Sequence, residues 1–138
     1  MSSVGAALAE WRGRLPAGEV RLLLGAVLNQ DAVQLMAHPE QRLSPGAAER
    51  FAGLAARRLA GEPIAYLLGR REFYGRDFRV GPGVLIPRPE TELLVEIAMA
   101  KLRGRNDARI LDLGTGSGCV AITLALEVAG SRVTGVDA

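Results

Sequence analysis

Three glycines at alternate positions, Gly114, Gly116 and Gly118, follow a short apolar run (Ile110, Leu111, Leu113) that contains one carboxylate, Asp112. Glycine lets the main chain take positive φ and approach a ligand that a Cβ would hold away. Apolar residues recur at helical spacing after the loop, so the loop amides open a helix whose N-terminus favours a carboxylate or phosphate. Asp137 ends a second strand 19 residues after Gly118, close to where an acidic side chain accepts hydrogen bonds from a ribose in such a strand, loop, helix, strand unit. The chemistry these residues suit is binding of a nucleoside-bearing cofactor.

Local spacing leaves the nucleoside open. Gly116-Ser117-Gly118-Cys119-Val120-Ala121 fits the G-x-G-x-x-A form of the dinucleotide fingerprint. Asp112-Leu113-Gly114-Thr115-Gly116-Ser117-Gly118 also resembles motif I of class I methyltransferases, D-x-G-x-G-x-G, whose cofactor is S-adenosylmethionine. That resemblance implies that the loop packs against the methionine end of the cofactor, that Asp112 lies near its amino group, and that Asp137 holds the adenosine ribose.

The chain has 138 residues, 49% of them hydrophobic, enough for one domain or two small ones. Its net charge is +2, and 16 of its 17 basic residues are arginine, a near balance that demands no nucleic-acid partner. The one cysteine, Cys119, can make no internal disulfide, and His38 is the one histidine, so neither a His-based triad nor a multi-histidine metal site can be built. Cys119 falls in the first turn after the glycine loop, where a helix N-terminus lowers a thiol pKa, although a small packed residue is the simpler reading. The first 15 residues lack the pattern of a secretory signal, and no segment approaches 18 consecutive apolar residues. The expectation is a cytoplasmic monomer with no metal and no membrane contact.

The elements that must position the loop follow from the rest of the chain. From Ser2 to about Leu68 it is rich in Ala, Leu and Arg, with Pro and Gly as punctuation. The spacing predicts a helix over Val4 to Arg12 burying Val4, Leu8 and Trp11, and another over Gly18 to Leu28 with Val20, Leu23, Leu24 and Val27 on one face. Asp31 caps a third to Ala37, and Ser44-Pro45 opens a fourth that turns Ala47, Phe51, Leu54, Ala55 and Leu59 inward and leaves Glu49, Arg50, Arg57 and Arg58 to solvent. Gly61 ends it, and Pro63 to Leu68 completes a small bundle. Arg57-Arg58 and Arg70-Arg71 read as solvated edges, or as a face for an acidic protein or RNA surface.

At Arg71 the period changes. Aromatic and branched residues on either side of Gly75 predict a β-hairpin or two short extended segments, and Gly81-Pro82-Gly83 a turn. Prolines on both sides of Arg88 restrict its backbone and keep the segment extended. Glu90-Thr91-Glu92 then opens a helix through Leu102, with acidic residues in its first turn and Lys101, Arg103 and Arg105 at its end, as the macrodipole prefers.

Gly69, Phe73-Tyr74-Gly75, Phe78, Val80 and Val84-Leu85-Ile86-Pro87-Arg88-Pro89-Glu90-Thr91-Glu92, leading into the glycine loop, together resemble the glutamine methyltransferases that modify peptide-chain release factors. The proline-flanked segment is the specific part, because the loop is shared by methyltransferases at large. The resemblance implies an α/β chain in three parts: a helical substrate-recognition domain over residues 1–70, a hairpin linker over 71–88, and the start of a Rossmann-like class I domain over 89–138. Arg88, Glu90 and Thr91 then join Asp112, Gly114, Thr115, Gly116, Ser117, Gly118 and Asp137 as cofactor-binding candidates, with S-adenosylmethionine as cofactor and a release factor as protein partner.

The implied reaction moves a methyl group from a sulfonium to a glutamine side-chain amide nitrogen, a poor nucleophile because its lone pair is delocalised. Such a reaction needs positioning and preorganised acceptors for the amide N–H groups. The family supplies them from an Asn-Pro-Pro-Tyr motif. Here neither Asn29 nor Asn106 is followed by proline, so the expectation is an N-terminal part of a longer protein, or a truncated inactive form, with part of the cofactor site and no catalytic residue. A nicotinamide-dependent oxidoreductase and a non-catalytic interaction module are the alternatives.

Overall fold

A computed structural model describes residues 2–138, which form two compact units, one ending at Leu68 and the other spanning Gly69–Ala138. The first unit holds α1 (Val4–Glu10), α2 (Ala17–Leu28), α3 (Ala32–Ala37), α4 (Pro45–Leu59) and α5 (Ile64–Leu68). The starts of α1, α3 and α4 are set by side-chain caps. Ser3 accepts from the Ala6 amide and Ser44 from the Ala47 amide, each at 3.2 Å. Asp31 and Gln34 form a reciprocal capping box at 2.8 and 2.9 Å, satisfying two helix-start donors at once.

Val4, Ala7, Trp11, Val20, Leu23, Leu24, Leu35, Leu43, Phe51 and Ala55 make the core of this unit. Trp11 meets Phe51 edge to face, with ring centroids 6.4 Å apart, the arrangement that sets the positive ring edge against the negative face. Leu8 and Val27 pack only partly buried against this core. Leu59 departs from its expected inward position and is 48% exposed. Four-residue steps overshoot a helical turn by about 40°, so the stripe through Ala47, Phe51 and Ala55 has rotated away by Leu59. Arg58 departs in the opposite sense: its side chain is only 27% exposed and its guanidinium pairs with Glu19 of α2 at 2.7 Å. The Arg58 pKa is raised by that hydrogen-bonded carboxylate.

The second unit opens with an antiparallel hairpin, β1 (Arg70–Phe73) and β2 (Arg76–Arg79), in which Phe73 faces Arg76 across the two-residue turn. Tyr74 and Gly75 both have positive φ, 53° and 73°, as the tight turns whose twist matches the strands require. Phe73 and Phe78 lie on one face and pack edge to face at 6.1 Å, forming a core with Val95, Cys119, Leu124 and Val128. A single 3₁₀ turn, Pro89–Thr91, precedes α6 (Glu92–Leu102). The α-helix therefore starts two residues later than expected, because the turn from Arg88 closes with three-residue bonds such as Thr91 N–H to the Arg88 carbonyl at 3.0 Å.

The last part is β3 (Arg109–Leu113), α7 (Cys119–Glu127) and β4 (Arg132–Val136), with the strands paired in parallel from Arg109 opposite Arg132 to Leu113 opposite Val136. Ile110 and Val133 pack toward the core that α6 and α7 share. Leu111, Leu113 and Val136 stay exposed on the other face, since residues alternate across a strand and only one face is covered. Among the described residues no helix is long and apolar enough to cross a membrane.

Trp11 is the chain's one tryptophan and reports directly on the helical core. Phe51→Ala removes its ring partner from a site only 2% exposed and should lower the unfolding free energy of this unit by about 3–5 kcal/mol. Urea unfolding followed by Trp11 fluorescence measures the loss; a change below 1 kcal/mol would mean the core collapses around the gap.

Candidate functional site

Parallel pairing of β3 with β4 brings their C-terminal ends side by side, with Asp112 near one tip and Asp137 just past the other. The loop between β3 and α7 folds back on the second strand. Gly114 and Thr115 both donate their amides to the Val136 carbonyl, at 2.8 and 3.1 Å, and Gly118 donates to the Thr115 carbonyl at 2.8 Å. The amide of Gly116 donates to Asp137 Oδ2. Of the five loop amides from Gly114 to Gly118, only that of Ser117 has no acceptor among the described residues.

Gly114, Gly116 and Gly118 all adopt positive φ, at 73°, 54° and 79°. A Cβ at Gly114 or Gly116 would meet nothing within 4 Å, so the chain leaves open the approach to these two positions. Thr115 turns inward: its hydroxyl donates to Asp112 Oδ2 at 2.8 Å. It also lies against Gly135, where an added Cβ would come within 2.7 Å of Thr115 Oγ1. Thr115 therefore steadies the Asp112 carboxylate and braces the loop on β4. Gly135 had no part in the sequence argument, and its signal was small: a glycine two residues before the acidic tip of an otherwise branched strand.

Ser117 is half-buried, and its hydroxyl oxygen is shielded from solvent without a hydrogen-bond partner. Cys119 is buried behind the loop as a free thiol, in the packed role. Asp137 is exposed, and hydrogen bonds from the Gly116 and Ala138 amides hold its carboxyl below the usual aspartate range. A backbone N–H donor favours the ionised form it bonds.

Arg88 and Glu90 are exposed and Thr91 is half-buried. Arg88 has extended backbone (φ −101°, ψ 142°) between Pro87, which is buried, and Pro89, which is exposed, as its neighbours dictate. None of the three side chains makes a hydrogen bond or ion pair to the glycine loop among the described residues. The hydrogen-bonded site is thus Asp112, the loop and Asp137, and the arginine segment shares no hydrogen bond with it. Arg57, Arg58 and Arg70 are paired with Glu62, Glu19 and Asp77. Three of the four paired-arginine positions are therefore already matched to a carboxylate. No cluster of metal-binding side chains occurs among the described residues.

Because the folded carboxyl of Asp137 is depressed, its bond to the loop contributes stability above the unfolded aspartate value, and that contribution is lost as pH falls through the lowered folded value. The Gly116 amide proton shift should therefore titrate with a midpoint below that of an unstructured aspartate. An NMR pH titration checks this; a midpoint at or above the ordinary value would show the bond absent in solution.

Residues 5–69 match the family described as PrmC N-terminal domain. The release factor glutamine methyltransferase of Bordetella pertussis is 50% identical over 123 residues, covering 89% of this chain and 46% of the relative. Those of Neisseria gonorrhoeae and Burkholderia pseudomallei are 52% and 46% identical, over 86% and 89% of this chain and 43% of each relative. The chain thus spans less than half the length of the curated relatives it matches. Over most of its own length it resembles the N-terminal portion of the release factor glutamine methyltransferases.

Proposed function

We propose that this chain forms the cofactor-binding start of a protein methyltransferase that acts on a glutamine side chain of a peptide-chain release factor. The carrying observation is the glycine loop with its open Gly114 and Gly116 positions, flanked by Asp112 and Asp137 at neighbouring strand tips. These residues fit S-adenosylmethionine. Its carboxylate suits the free Ser117 amide and the positive end of α7, and its ammonium suits Asp112. Its ribose hydroxyls suit Asp137, at the place where an acidic side chain grips a ribose in this kind of unit. Bound there, the cofactor supplies an electrophilic methyl group on a sulfonium.

The residues of this chain bind and orient. Asp112, held by Thr115 Oγ1 at 2.8 Å, presents a fixed carboxylate and spends no side-chain freedom when a ligand arrives. Arg88, Glu90 and Thr91 form a wall of the site, and the helical unit recognises the protein substrate. Identity of about half over more than 85% of this chain to enzymes named for that reaction supports this reading.

Isothermal titration with S-adenosylhomocysteine and with NAD tests it. The expected result is binding of the first and not of the second. Asp137→Ala should weaken that binding roughly tenfold to a hundredfold, the range for losing a charged hydrogen-bond acceptor. Binding of NAD with no response to S-adenosylhomocysteine would replace this reading with a nicotinamide site, and capture of a release factor with no nucleoside binding would leave only an interaction module.

A further inference from the structure

The hairpin turn is tied down through both of its amides and through the Tyr74 carbonyl and hydroxyl. Tyr74 is a non-glycine residue in left-handed backbone, a conformation that persists where the surroundings over-determine it. Its N–H donates to Glu92 Oε1 at 2.9 Å, its carbonyl accepts from Arg76 Nη1 at 3.3 Å, and its hydroxyl donates to Met99 Sδ at 3.7 Å. Arg76 is itself paired with Glu127 at 2.6 Å, and the Gly75 amide donates to Glu72 at 2.6 Å.

Glu92 differs from the other partners in where it sits. It is the first residue of α6, directly after the 3₁₀ turn Pro89–Thr91. A carboxylate there would ordinarily serve its own helix start. Here it reaches an amide 18 residues earlier in the chain. Thr91 makes no side-chain cap for the helix, and Val84 to Arg88 has no regular secondary structure. The hairpin, by contrast, is anchored through Phe73 and Phe78, 1% and 6% exposed, in the core of the unit.

We infer that Glu92 is a positioning residue: by accepting the Tyr74 amide it clamps the start of α6 to the hairpin turn and so fixes the Arg88 to Thr91 segment that precedes it. The inference rests on the reading of that segment as a wall of the cofactor site. It gives the hairpin a task, as the rigid post against which the wall is set.

The test uses the full chain with Glu92→Ala, Glu92→Gln and Arg76→Ala, read by amide hydrogen exchange at Tyr74 and Thr91 and by titration with S-adenosylhomocysteine. In Glu92→Ala, exchange at both amides should rise about tenfold, as expected for loss of a charge-assisted bond, and affinity should fall severalfold. Glu92→Gln keeps an acceptor oxygen and should restore both. Arg76→Ala removes the hairpin's tie to Glu127 and the bond to the Tyr74 carbonyl but leaves the Tyr74 N–H on Glu92, and should change neither Thr91 exchange nor affinity. Thr91 exchange as slow in Glu92→Ala as in the unaltered chain would overturn the inference, as would an equal rise in Arg76→Ala, which would mark general loosening of the hairpin. Faster Thr91 exchange with unchanged affinity would overturn the link from this segment to the site. If the unaltered chain binds no S-adenosylhomocysteine, the cofactor reading fails, and Thr91 exchange alone still decides whether Glu92 positions the segment.

Discussion

Three successive amides of the glycine loop rest on the second strand and its acidic tip, and most of the site follows from that dependence. Gly114 and Thr115 hand their amides to one carbonyl, that of Val136, and Gly116 hands its own to the Asp137 carboxylate. These bonds form only when β3 and β4 are paired in register, so the loop and the acidic tip are correct together or not at all. An unpaired backbone donor beside apolar surface is costly. The loop therefore selects the parallel pairing as much as the pairing shapes the loop.

Asp137 consequently has two roles. Without a ligand its carboxylate satisfies a loop amide; in the proposed complex it meets a ribose. A carboxylate has room for both, since two oxygens offer about four acceptor sites. One oxygen already takes Gly116 and the other the Ala138 amide, which keeps the side chain aimed at the mouth of the loop. The same economy governs Thr115, whose hydroxyl holds Asp112 while the side chain as a whole, Oγ1 foremost, fills the space that Gly135 leaves. A methyl group at position 135 would push Thr115, and with it the Asp112 carboxylate it holds, so a residue with no side chain acts on the site by its size alone.

The elements legible from residue order were those whose cause is local. Ser3, Asp31 and Ser44 cap helices because a side-chain oxygen reaches an amide three residues on. The hairpin at Gly75 and the loop at Gly114, Gly116 and Gly118 were readable because positive φ costs glycine almost nothing. The positions that escaped sequence reasoning are set by partners far along the chain. Arg58 turned inward because Glu19 waits 39 residues earlier, and Leu59 turned outward because the packed stripe had drifted past it. The first displacement cannot be read from the fourth helix alone, whereas the second follows from that helix's own period.

From its order of residues, this chain determined that a main-chain loop flanked by two carboxylates would be built, that helices would precede it, and that prolines would hold Arg88 extended. Each depends on allowed backbone angles within a few residues, which do not wait for the rest of the fold. Tertiary structure alone decided where the loop amides point, that Asp137 shares one of them, that Gly135 must make room for Thr115, and that Glu92 reaches Tyr74. Those are distances between atoms remote in sequence, and they exist only once strand pairing and the buried aromatic core have brought the segments together.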